Sequence, residues 1–120
     1  MNITTTAKDF EMSAAIDQFA RDQVRSALQH FSDHILAVDV FVSDNNGPKG
    51  GIDKQALIRI RLRNSEVIAL QTVHENLYAA IKKGSKRTRR AVRRHLRKSG
   101  RIRKQRMRDR LNDIGIPTAT

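Results

Sequence analysis

Between Lys82 and Lys98, every residue that is neither Lys nor Arg falls on a single stripe of a helix. These residues are Gly84, Ser85, Thr88, Ala91, Val92, His95 and Leu96, and the stripe runs back through Ile81 and Leu77 at intervals of three and four. A disordered basic tail has no reason to keep its charges off one line. The pattern therefore predicts a helix docked through small and apolar side chains, with cations covering its whole outward arc. It should begin near Glu75 or Asn76 and run to about Ser99, with Gly100 as a C-terminal stop.

The charge is segregated in the same way. Residues 1–81 hold eight Lys/Arg against ten Asp/Glu, whereas residues 82–110 hold sixteen Lys/Arg and one acid. The net +12 of this 120-residue chain thus resides in its last third. The first two thirds read as an ordinary folded body and the last third as a polyanion site. The division expected is a body over residues 1–100 and a basic C-terminal extension over 101–120.

Within the body, the β-branched run at residues 2–6 suits an opening strand. Ser13 stands where an N-cap belongs, and Ile16, Phe19, Ala20, Val24, Ala27, Leu28 and Phe31 follow at helical spacing. From Ile35 to Ser43, Val38, Val40 and Val42 alternate with Ala37, Asp39 and Phe41, which predicts a strand. A second strand over residues 55–63 places Ala56, Ile58, Ile60 and Leu62 on one face and Leu57, Arg59, Arg61 and Arg63 on the other. Asn64-Ser65 fits a tight two-residue turn into a third consecutive strand over residues 66–73. The resulting order is β-α-β-β-β-α, an α+β fold in which an antiparallel four-stranded sheet carries both helices on one face. The other face stays open, and Arg59, Arg61 and Arg63 would add positive charge there.

The candidate nucleic-acid-binding residues are Lys82, Lys83, Lys86, Arg87, Arg89, Arg90, Arg93, Arg94, Arg97, Lys98 and Arg101. Arginine predominates, and its planar fork donates two parallel hydrogen bonds to a phosphate. A merely solvated face usually mixes signs, because like charges at i and i+4 repel unless a polyanion relieves them. A membrane surface fits less well, since Gly84, Ser85, Thr88 and Ala91 offer too little apolar area to insert. The start of the chain lacks a signal-peptide pattern, no apolar run approaches a membrane span, and cysteine is absent, so a cytoplasmic location is expected.

Other motifs yield to plainer readings. Gly47-Pro48-Lys49-Gly50 has the spacing of a nucleic-acid-clamping GxxG loop, but strands flank it, so a hairpin connection is expected. His30 and His34 are four apart, yet the helix is expected to end at residues 31–33 and no third zinc ligand is evident. His95 lies on the docking stripe and reads as structural. No nucleophile with its base, paired carboxylates or cofactor loop is visible, so neither enzyme activity, a metal, a cofactor nor a small-molecule substrate is expected. Phe10, Phe19, Phe31, Phe41 and Tyr78 fall mostly at core-type positions, which favours structured nucleic acid held by its backbone over stacked single strands.

Glu75-Asn76-Leu77-Tyr78-Ala79-Ala80-Ile81 and the basic helix after it resemble the Asp-(Leu/Met)-Tyr-Ala-Ala-Ile-Asp segment of the ribosome hibernation promoting factor and ribosome-associated inhibitor family. The resemblance includes Asn2-Ile3-Thr4, the helix beginning near Ser13 and the strand order, and spans roughly residues 1–98. It implies a fold like the double-stranded RNA-binding domain, lodged on the 30S subunit against 16S ribosomal RNA where mRNA and tRNA lie, blocking translation in stationary or starved cells. The family's recurrent basic positions fall on Arg87, Arg90 and Arg94. Lys82 stands where short members often have Asp, and Gly84, Ser85 and Thr88 replace bulky apolar residues, which implies looser docking. No second domain of the kind that pairs two ribosomes is present, so a monomer that does not itself dimerise ribosomes is expected. A general nucleic-acid-binding, nucleoid-type protein is the alternative, and a regulator acting on a partner protein's acidic surface is a third reading.

Overall fold

A computed structural model describes residues 1–8, 10–44 and 54–113, with side chains described as far as residue 100 except at Ser99. The elements are β1 (Asn2–Lys8), α1 (Ala14–Leu28), β2 (Ile35–Asp44), β3 (Lys54–Leu62), β4 (Val67–His74) and α2 (Leu77–Asp113). A 3-10 stretch, Gln29–His34, carries α1 into β2. The GxxG segment Gly47–Gly50 lies outside the described residues.

The four strands form one sheet in the order β1-β2-β3-β4. β2 with β3 and β3 with β4 are antiparallel, but β1 runs parallel to β2, pairing Ile3 with Val38 and Thr5 with Val40. The sheet is thus mixed, not antiparallel throughout. The physical reason is the connection: α1 returns the chain to the starting end before β2 begins, and such a crossover produces a parallel neighbour.

The period-two expectation for β3 matches its burial. Ala56, Ile58, Ile60 and Leu62 are buried while Leu57, Arg59 and Arg61 are exposed. In β2 the pairing register shifts between Ile35 and Ala37, which lets Ile35 join Val38, Val40 and Val42 in the core despite its odd spacing. The β3–β4 connection is longer than the predicted two residues. Leu62 receives a backbone hydrogen bond from Ser65 (3.1 Å) and donates one to Glu66 (2.8 Å), while Ser65 adopts φ 74°.

Both helices start as the sequence indicates. The Ser13 hydroxyl accepts from Ile16 N–H (3.1 Å), and the Asn76 side chain accepts from Tyr78 N–H (2.8 Å) and Ala79 N–H (3.3 Å). α1 is tied to β1 through Asp17, which accepts from the Thr5 hydroxyl and from Arg21 Nε (3.0 Å), while Arg21 Nη1 donates to Ile3 C=O (2.6 Å). The Thr5 bond, and next to it Arg21, hold the Asp17 carboxyl below its ordinary range.

Ala20, Val24 and Leu28 of α1 and Ala80, Ile81 and Val92 of α2 share one core cluster with the inner face of the sheet. Burying a side chain the size of Leu28, Ile58 or Ile81 contributes about 1.5–3 kcal/mol. Contact between α2 and the sheet is close at Gly84. A Cβ there would lie 3.3 Å from both Ile58 Cδ1 and Thr72 Oγ1. Gly84, Ser85 and Thr88 are all buried, so the small residues bring the helix close instead of loosening it. The Ser85 and Thr88 hydroxyls donate back to Ile81 C=O (2.8 Å) and Gly84 C=O (2.7 Å), which leaves no unsatisfied polar group in the seam from either residue.

Gly100 does not stop the helix, which continues through it to Asp113. A glycine ends a helix when the chain turns left-handed there, and Gly100 keeps the helical path with nothing within 4 Å of the position its Cβ would take. The two helical glycines should therefore respond oppositely. Gly84→Leu is expected to lower unfolding stability by about 1–3 kcal/mol through overpacking. Gly100→Ala should leave stability unchanged or raise helix content. Chemical denaturation with far-UV circular dichroism checks both; equal responses would contradict the close seam.

Candidate nucleic-acid interface

The seam fixes which way the cations point. Because Ile81, Gly84, Ser85, Thr88 and Val92 are buried, Lys82, Lys83, Lys86, Arg87, Arg89, Arg90, Arg94, Arg97 and Lys98 are exposed and Arg93 is half-buried. The side chain of Arg101 lies past the described ones. None of these ten described cations pairs with a carboxylate among the described residues. Lys86, Arg89, Arg90 and Arg93 line a recess of about 330 Å³. Four cations around one concavity can hold anionic oxygens through charge-assisted hydrogen bonds.

Arg87 has a second role that its sequence position does not reveal. Its Nη1 donates to Gln71 C=O (2.8 Å) and to Thr72 Oγ1 (2.9 Å), so the guanidinium spans from α2 to the open edge of β4. It covers part of an edge that would otherwise leave a backbone acceptor unpaired. Arg90 and Arg94 make no such bonds and are free to meet a ligand. Partners 15 and 16 residues apart carry no local signal, so sequence patterning grouped all three together.

The open sheet face is less positive than expected. Asp39 stands opposite Arg59 in the β2–β3 register and accepts from Arg59 Nη2 (3.0 Å) and Nε (3.2 Å), with Arg61 Nε at 3.6 Å. Arg59 also lies 5.4 Å from the centre of the Phe41 ring. Asp39 is only 7% exposed, so its charge is spent on these arginines and the pair is a fixture of the sheet. Lys54 similarly meets Asp44 at 2.5 Å.

The remaining aromatic and histidine readings settle locally. Phe10, Phe19 and Phe31 pack against the core, and Tyr78 meets Phe19 edge-on at 4.9 Å. His95 is half-buried on the seam with Nε2 against the Glu66 carboxylate, joining α2 to the β3–β4 turn. His30 and His34 are both exposed, and no cluster of metal-capable side chains occurs among the described residues. No helix there is long and apolar enough to cross a membrane.

An α+β domain that turns one basic helix outward carries the electrostatic footprint of a polyanion-binding surface. Residues 3–99 match the family model described as sigma 54 modulation protein / S30EA ribosomal protein. The chain belongs to this ribosome-associated family, as its resemblance to hibernation factors implied. The crystal structure of the Thermus thermophilus Protein Y N-terminal domain is similar at TM-score 0.66 and 23% identity, covering 79% of this chain and 99% of that one. A ribosomal subunit interface protein from Coxiella burnetii is similar at TM-score 0.68 and 16% identity, covering 79% and 97%. At those identities the likeness shows the fold. No curated protein sequence matches significantly.

Because Arg87 is bonded to β4, Arg87→Ala should cost about 1 kcal/mol of unfolding stability, whereas Arg90→Ala and Arg94→Ala should cost almost none. Urea denaturation of the three variants provides the comparison. Equal stability for all three would remove Arg87 from its structural role.

Proposed function

We propose that this chain is a ribosome-associated translation inhibitor of the hibernation type, binding 16S ribosomal RNA of the 30S subunit in the channel that mRNA and tRNA use. The observation that carries this reading is the unpaired cationic arc of α2 in a member of a ribosomal family. Lys82, Lys83, Lys86, Arg89, Arg90, Arg93, Arg94, Arg97 and Lys98 serve as phosphate contacts, and Arg87 contributes the donors that β4 does not occupy. Inhibition is steric: a folded body in the channel excludes the ligands that normally occupy it. No catalytic step, cofactor or small-molecule substrate is needed, and the chain acts in the cytoplasm as a monomer.

Binding through phosphates releases counterions, so affinity should fall steeply with salt, with a log-log slope of about −0.7 to −0.9 per phosphate contacted. Phosphate contacts alone do not distinguish RNA from DNA. The second reading, a general nucleic-acid-binding protein, therefore rests on the same residues and is separated by competition.

Purified protein sedimented with ribosomes through a sucrose gradient at near-physiological salt, with excess duplex DNA present, should co-migrate with 30S or 70S particles. An Arg90→Glu, Arg94→Glu double variant should remain at the top of the gradient while keeping its circular dichroism spectrum. Loss of the unchanged protein to the DNA would favour the general binder. Retained ribosome binding by the folded double variant would remove α2 from the interface.

A further inference from the structure

The docking seam ends before the helix does. Up to Leu96 the line through Ile81, Thr88 and Val92 is apolar or small and packs on the sheet. Continued at about 100° per residue, that line next meets Ser99, Arg103, Arg106 and Arg110. Arg110 stands eighteen residues after Val92, about five whole turns. The outward arc continues independently through Arg101, Lys104 and Arg108. Basic residues thus occupy one arc of α2 along the body, but two nearly opposite lines beyond it.

The backbone agrees with this change of pattern. At Gly84 an added Cβ would meet Ile58 and Thr72, while at Gly100 it would meet nothing within 4 Å. The helix nevertheless runs on to Asp113, so residues 101–113 extend about 20 Å. The protein measures 69 Å along its longest axis against 26 and 20 Å across. This stretch also lies past residue 99, where the family match ends.

We propose that residues 101–113 form a second RNA-binding element, a helical arm held with phosphates on both sides, as in a groove of structured RNA. A surface contacted on one side would neutralise only one of the two lines and leave the three basic residues of the other repelling one another. Flanking phosphate walls neutralise both. The inference rests on the ribosomal RNA reading of the body and adds a contact set that the body does not contain.

The test compares the unchanged chain with two triple variants, Arg103→Gln/Arg106→Gln/Arg110→Gln and Arg101→Gln/Lys104→Gln/Arg108→Gln. Glutamine preserves helix propensity, and circular dichroism checks that the helix persists. Binding to small ribosomal subunits and to protein-free 16S ribosomal RNA is measured across a salt series. Each triple should bind both probes at least about tenfold more weakly, with a log-log slope shallower by about two, as three lost phosphate contacts require.

If either triple binds as the unchanged chain does, the two-sided arm is overturned while the body's reading stands. Weaker binding to subunits without weaker binding to free RNA would assign the arm to a protein surface and also overturn it. If the unchanged chain binds neither probe, the ribosomal reading fails and takes the arm with it.

Discussion

The contact between α2 and the sheet at Gly84 is the constraint on which the remaining architecture depends. A helix studded with Lys and Arg on every position but one stripe gains little from its own side chains, because neighbouring like charges oppose helix formation. It persists by packing. Gly84 brings the helical backbone down to Ile58 and Thr72, Ser85 and Thr88 bury hydroxyls satisfied within the helix, and Ile81 and Val92 complete the core. Small residues in the seam thus determine where large charged ones stand outside it.

That arrangement separates the electrostatics of the protein into two parts. Cations that serve the fold have partners: Arg21 with Asp17, Arg59 and Arg61 with Asp39, Lys54 with Asp44. Cations of α2 within the described residues have no carboxylate partners, and only Arg87 is bonded within the protein. A fold normally distributes its few acids where they offset repulsion. Here the acids that pair with Lys and Arg among the described residues, Asp17, Asp22, Asp39 and Asp44, stand on α1 and the sheet, which leaves the like charges along the described part of α2 uncompensated by carboxylates.

Much of this was legible in the sequence because burial has a period. The alternation of Ala56, Ile58, Ile60 and Leu62, the cap at Ser13, and the stripe from Leu77 to Leu96 each report a local constraint that the chain satisfies locally. The misreadings involve geometry that local pattern does not encode. The parallel β1–β2 pair follows from the crossover of α1 and not from anything within the two strands. Gly100 carries the composition of a stop without the left-handed turn that would make it one. Asp39 cancels much of the Arg59 and Arg61 charge because a strand register places them side by side, 20 residues apart for Arg59. Arg87 looked identical to Arg90 and Arg94 because their difference lies across the interface with β4. The family resemblance covered the body well but gave the opposite expectation for the seam, since small residues permit closer docking where bulk is replaced by proximity.

Hydroxyl-radical footprinting of 16S ribosomal RNA in small subunits saturated with this protein tests the central claim most directly, since it reads which RNA backbone the helix covers. The account predicts protection of riboses lining the mRNA and tRNA channel, and loss of that protection when Arg90 and Arg94 are reversed to Glu. Protection confined to RNA outside the channel, or an unchanged footprint from the folded double variant, would contradict it.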